Sequence, residues 1–205
     1  MTEPAHSESR ETLLNQAKQL DQQAVQLYQQ GRYKEALRQA KEALVIREEA
    51  LGSDHPAVAT NLSNLATLYV EMGQYAKAEP LYQRALAIHE KAMGADHPTV
   101  ATTLNNLAEL YRETGQYAKA EPLHQRSLAI REQVFVPEHP AVATSLNNLG
   151  LLYEDMGQYA KAEPLYKRSL AITVKQFGPA HPTVATSLNN LGALFLASGQ
   201  YASAE

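Results

Sequence analysis

Four histidines stand 42 residues apart, each followed by proline: His55-Pro56, His97-Pro98, His139-Pro140 and His181-Pro182. Imidazole is the commonest metal ligand and exchanges protons near neutral pH, so zinc binding and acid–base catalysis are the first chemistries to weigh. Zinc holds its ligand nitrogens at about 2 Å. Residues one repeat apart lie on successive packed helices, with axes roughly 8–10 Å apart, so these imidazoles cannot share one ion within a chain. The position before proline predicts a plainer role, capping a helix or packing a loop. His89-Glu90 opens like a zinc-protease helix, but Met93 stands where the second histidine is required. There is no cysteine, hence no disulfide, thiol nucleophile or thiolate metal site. No phosphate-cradling glycine loop and no nucleophile–base pair at informative spacing occurs either. No catalytic residue, metal site or cofactor is expected.

Amides form a second recurring set: Asn105-Asn106, Asn147-Asn148 and Asn189-Asn190, preceded by Ser63-Asn64. An amide side chain both donates and accepts, so a ladder of them can pair with an extended peptide backbone whatever its side chains. On a helix, Thr102, Asn105, Glu109 and Arg112 share one face. Their counterparts are Thr60, Ser63, Thr67 and Val70 before them, Thr144, Asn147, Leu151 and Glu154 after them, and Thr186, Asn189, Ala193 and Leu196 last. The first Asn of each pair is expected to be the more exposed and to meet a ligand. The second, with Asn64 as its earliest member, reads either as a ligand contact or as a bond to a neighbouring helix or loop. Glu71, Glu109, Glu113, Glu154 and Asp155 outnumber Arg112 on this face, which favours neutral or basic peptide segments. Arg84, Arg126 and Arg168 recur strictly and read as structural, bonding loop carbonyls or Glu79, Glu121 and Glu163.

The elements that position these groups follow from the same period. GQYAKAEPL occurs at Gly73 to Leu81, Gly115 to Leu123 and Gly157 to Leu165, with GRYKEAL opening at Gly31 and GQYASAE at Gly199. Such a period marks a supersecondary unit that buries its apolar face only against its neighbours. Leu104, Leu107, Ala108 and Tyr111 make one helical stripe, which predicts a helix A from Pro98 to near Gly115. Tyr117, Ala120, His124 and Ser127 make another, which predicts a helix B running to about Phe135. Pro80, Pro122 and Pro164 fall about a turn inside helix B and should disturb only its start. Helix B ends at Gly52, Gly94 and Gly178 elsewhere, but Val136 stands at that position in the third full unit. A β-branched residue is costly in a left-handed conformation, so a different turn is expected there.

With 44% hydrophobic residues among 205, the chain can bury a sizeable core. There are 18 Lys and Arg against 22 Asp and Glu, a formal charge of -4, and no field that would attract nucleic acid or an anionic membrane. Residues 1–10 lack the apolar run of a signal peptide, and no stretch approaches the roughly 20 apolar residues that span a bilayer. A cytoplasmic protein is expected.

The pattern Leu104, Leu107-Ala108, Tyr111, Gly115, Tyr117, Ala120 and Leu128 resembles the tetratricopeptide repeat. The longer form here, with Leu-Asn-Asn-Leu, Gly-Gln-Tyr-x-x-Ala-Glu-Pro-Leu and Asp-His-Pro, is similar to the repeats of the kinesin light chain and its bacterial relatives over about residues 20–205. The resemblance implies an all-α, right-handed superhelical solenoid of antiparallel helix pairs. The expected organisation is a flexible terminus at 1–10 and one array at 11–205. Its repeats are about 11–55, 56–97, 98–139 and 140–181, with a truncated 182–205, and the first is a capping unit with a longer A helix. The resemblance further implies a peptide-binding groove lined by Asn64, Asn105, Asn106, Glu109, Arg112, Asn147, Asn148, Glu154, Asn189 and Asn190. Kinesin light chain grooves take acidic peptides flanking a tryptophan, whereas the acidic excess here predicts neutral or basic ones. Residues 1–30 carry no sustained heptads, so nothing supports motor binding. Three functions stay open: a peptide or protein scaffold, a self-associating array that dimerises through Leu188, Leu191 and Phe195 of the last A helix, and a regulatory arm of a larger signalling protein.

Overall fold

The computed structural model describes residues 4–199. The chain divides into two compact units, Met1–Ala95 and Asp96–Glu205. Unit 1 contains α1 (Pro4–Gln29), α2 (Tyr33–Leu51), α3 (Pro56–Glu71) and α4 (Tyr75–Met93). Unit 2 contains α5 (Pro98–Glu113), α6 (Tyr117–Val134), α7 (Pro140–Asp155), α8 (Tyr159–Phe177) and α9 (Pro182–Ala197). Among the described residues there is no strand. Odd-numbered A helices pair with the B helix that follows, and within each unit α2 also packs on α3, α6 on α7 and α8 on α9. α1 is 26 residues long against 16 for the other A helices. It takes in residues 4–10.

The histidines do what their place before proline predicts. The Nδ1 atoms of His55, His97, His139 and His181 accept the backbone N–H two residues on, at 3.1–3.2 Å. Each proline takes the first helical position, where a missing N–H costs nothing. A helices end in paired backbone bonds around a left-handed glycine, as where Gly115 N donates to Arg112 O at 3.0 Å and Gln116 N to Tyr111 O at 2.7 Å. B helices end differently. Gly52 and Gly178 have φ near 80° with ψ of 154–159°, a region open only to glycine. In α6 the cap falls one residue earlier, on Phe135, which keeps ψ at 158° but takes φ of -109°. This is the altered turn that Val136 demanded, and the Phe135 ring stacks on His139 at 4.1 Å.

Small residues set how closely the helices approach. Ala36 and Ala43, Ala78 and Ala85, Ala120 and Ser127, and Ala162 and Ser169 lie buried seven residues apart on the B helices. Ala59 and Ala66, Ala101 and Ala108, and Ala143 and Gly150 are buried at the same interval on A helices. The approach is close enough for Ser127 Oγ to donate to Ala101 O at 2.8 Å and Ser169 Oγ to Ala143 O at 2.9 Å. Pro80, Pro122 and Pro164 sit inside continuous helices, near enough to the start that the rest of the ladder holds.

Gly150 is the tightest of these contacts, since a Cβ there would lie 2.6 Å from the ring of the fully buried Tyr166. Turning Tyr166 aside would disturb the bond its hydroxyl donates to Glu154 at 2.7 Å. Gly150→Ala should therefore destabilise by about 1–3 kcal/mol, overriding the roughly 1 kcal/mol that alanine contributes to helix propensity. Urea denaturation of the variant checks this, and a rise in midpoint would refute it.

Candidate functional site

In unit 1 the exposed face of the A helices is a cleft of about 250 Å³. Asp21, Ala24, Val25 and Tyr28 of α1 face Asn64, Thr67 and Leu68 of α3 across it, with Ala40 of α2 beneath. Asp21, Val25 and Tyr28 stand 42 residues before Ser63, Thr67 and Val70, so they are the first members of the face read from sequence. Treating the first unit as a cap hid them, although the 42-residue offset was the signal that finds them. Ala24, Ala40 and Leu68 form a buried floor, while Val25 is 53% exposed. Asp21 is fixed by Arg47 and by Asn61 Nδ2 at 2.8 Å. Tyr28 donates to Glu71 at 2.8 Å, and that bond, with partial burial, pushes its pKa up to about 12. Asn64 is exposed on the wall, and Ser63 before it is half-buried.

In unit 2 the amides behave differently from expectation. Asn148 Nδ2 donates to Asn105 Oδ1 at 3.1 Å, and Asn190 Nδ2 donates to Asn147 Oδ1 at 2.8 Å. The ladder thus runs between successive A helices. Asn105, expected to be the more exposed of its pair, is buried, and Asn106 is half-buried. The reason is tertiary: the partner of Asn105 comes from the next repeat. Asn147 is half-buried and Asn189 exposed.

The charged members of the face bind one another. Arg112 donates to both carboxylate oxygens of Glu109 at 3.0 and 3.1 Å and to Asp155 at 2.6 Å. Burial by itself would push Glu109 up, but contacts from His124 and Arg112 hold it below the usual carboxylate value. The fully buried His124 places Nε2 3.4 Å from Glu109 Oε1. Burial by itself would pull Arg112 down, yet Glu109 and Asp155 hold it above the ordinary guanidinium value. Glu154 accepts from Tyr166, whose pKa is raised first by burial and then by that bond. On the B helices Arg84 donates to Glu48 at 2.6 Å and to the loop carbonyl of Ser53 at 3.1 Å. Arg168 pairs with Glu132. The loop carbonyl agrees with the sequence reading, and the carboxylates of Glu48 and Glu132 come from the preceding B helix.

The tetratricopeptide repeat model matches residues 16–91, 59–133, 99–173 and 141–205. The chain belongs to the tetratricopeptide repeat family. Among solved structures, the nearly identical TPR-like repeats of a kinesin light chain candidate from Podosopora anserina are 28% identical, with a TM-score of 0.79 over 91% of this chain and 88% of that one. BtubC (BKLC) from P. vanneervenii is 27% identical, with a TM-score of 0.81 over 98% of this chain and 84% of that one. Aspartyl phosphate phosphatase F from Bacillus subtilis, 18% identical over 97% of this chain and 50% of that one with a TM-score of 0.80, shares the fold alone. No curated protein matches. This TPR chain thus sits among kinesin light chain-like repeats. No helix of its described residues is long and apolar enough to cross a membrane.

Because Glu109 is held below its unfolded value, it contributes stability that is present above about pH 4.3 and lost as pH falls through its folded value. Arg112→Leu leaves two carboxylates without their cation and should cost about 1–3 kcal/mol near neutral pH. The deficit should shrink below about pH 4 as Glu109 protonates. Denaturant midpoints of parent and variant across pH measure this, and a deficit that grew on acidification would contradict it.

Proposed function

We propose that this chain is a cytosolic, non-enzymatic scaffold that holds an extended, neutral or basic peptide segment against the exposed face of its A helices. The observation that carries the reading is the unit 1 cleft, in which an apolar floor is flanked by groups able to bond a peptide backbone. Leu68, Ala24 and Ala40 would bury one apolar side chain, and Asn64 and Thr67 lie on the wall. Glu71, which accepts from the neutral Tyr28 hydroxyl, adds negative charge beside the cleft, which suits a basic flank. In unit 2 the ladder of Asn105 with Asn148 and Asn147 with Asn190 is internal, which leaves Asn189 as its most exposed amide. Membership of a family of protein-binding repeats agrees with this role, and the charged cluster of Glu109, Arg112 and Asp155 then serves to hold the face rigid.

Peptides selected from a random display library should lose about tenfold or more in affinity when Val25→Asp or Asn64→Ala is introduced. Fluorescence anisotropy measures the affinity, and an unchanged thermal midpoint shows that the fold is intact. Binders indifferent to both changes would move the site elsewhere.

A second reading rests on α9, where Leu188 is 51% exposed while its counterparts Leu104 and Leu146 are fully buried; of the other two residues expected in that patch, Leu191 is half-buried and Phe195 is buried. If α9 joins two copies, sedimentation equilibrium should show a dimer that Leu188→Glu converts to monomer, and a monomeric parent would remove the reading.

A further inference from the structure

Arg47, His89, Arg131 and Thr173 occupy one repeat position on the four B helices. Where that residue is arginine, it fills the joint between its own helix pair and the next A helix. In unit 1, Arg47 reaches Asp21 and Asn61. In unit 2, the buried Arg131 extends Nη1 to Ala141 O at 3.1 Å and to Ser145 Oγ at 2.9 Å, and Nη2 to Thr102 Oγ1 at 3.5 Å. It has no carboxylate among these partners, and burial pulls it down from the ordinary guanidinium value.

At the next joint, between α7, α8 and α9, the arginine is replaced by the much shorter Thr173, and a cleft of about 320 Å³ opens there. Its lining includes Thr183, Ser187 and Thr144. These stand one 42-residue period beyond Ala141, Ser145 and Thr102, so each residue that holds the Arg131 guanidinium has its counterpart in the wall. The floor hydroxyls of Ser169, Thr173 and Ser187 are buried, and Thr144 and Thr186 are exposed at the mouth. Phe177, 43% exposed, stands at the rim with one face of its ring stacked on His181 at 4.7 Å.

The hydroxyl protons have acceptors nearer than the 3.4 Å that separates Thr173 Oγ1 from Ser187 Oγ, a contact in which either could donate. Thr144 donates to Pro140 O at 3.2 Å, Ser187 to Thr183 O at 3.2 Å, and Thr173 to Leu170 O at 3.0 Å. What they present to the cleft is lone pairs. A group that only donates, through several N–H bonds in a fixed plane, matches such a wall, and guanidinium is that group. From the vacated joint we infer that unit 2 takes an arginine side chain of a bound partner peptide into the cleft at Thr173, in the place that Arg131 fills one repeat earlier. This sharpens the proposed preference for neutral or basic segments and rests on that reading for the identity of the partner. The binding chemistry itself does not require an extended peptide.

The test therefore uses a single blocked amino acid. The 15N-labelled full chain is titrated with acetyl-arginine amide, and separately with acetyl-lysine amide. Arginine should shift the amide signals of Thr144, Thr173 and Ser187 at millimolar concentration, with lysine about tenfold weaker. Thr173→Arg should abolish the response and raise the thermal midpoint, because the chain then fills its own joint. Should that variant fail to fold, Ser187→Ala removes one acceptor and should weaken arginine binding several-fold. Saturation without shifts at this joint, or equal response to lysine, would overturn the inference. A peptide that binds unit 1 while arginine leaves Thr173 undisturbed would sink this site and spare the scaffold reading. Arginine binding at Thr173 with no peptide captured by the chain would do the reverse.

Discussion

Everything else in the structure depends on the close approach of each A helix to its B helix through small residues. Alanine, serine or glycine recurs every seventh residue on both partners, and nearly all of these sites are fully buried. Two turns of helix come close to seven residues, so such a spacing keeps small side chains on one seam. With no larger side chain between them, the backbones come near enough for a serine hydroxyl of one helix to reach a backbone carbonyl of the other. Dispersion contacts are then made along the whole seam, each small and together large. Gly150 marks the limit of this approach, because there even a methyl group would meet the ring of Tyr166.

Once the pair is rigid, the joints between pairs are left with space of a defined shape. Polar side chains fill much of it: Arg47 with Asp21 and Asn61 in unit 1, Arg131 with Ser145 and Ala141 in unit 2, and the amide bonds that link Asn105 to Asn148 and Asn147 to Asn190. Buried polar groups are tolerated when they are hydrogen-bonded, and directional bonds fix how successive A helices stand in a way that apolar contact alone does not. A change at one joint position consequently leaves the helix pairs standing and alters only what the joint can hold.

That separation explains how near-identical repeats can present different chemistry. The unit 1 cleft is floored by alanine and leucine and bordered by Asp21, whereas the cleft at Thr173 is walled by hydroxyls and amides. The kinesin light chain-like structures share this chain's backbone at under 30% identity, consistent with a scaffold whose seams are constrained and whose faces are free to vary.

The local elements were legible from the sequence alone because their causes are local. The apolar stripe, the proline at the first helical position, the histidine cap before it and the glycine after each A helix all act within a few residues, and the structure has them where the spacing put them. Even the altered turn near Val136 followed from one residue's intolerance of positive φ. The roles of the polar residues were decided only by tertiary structure. Asn105 reads as an exposed amide on its own helix, yet its partner Asn148 arrives from 43 residues away and buries it. Glu109 and Arg112 read as ligand contacts, yet Asp155 completes a cluster that satisfies them among themselves. Thr173 carries no signal in its own helix, and its meaning appears only beside the joint that Arg131 fills. A hydrogen bond depends on distances and angles between groups far apart in the chain, and no local periodicity encodes those.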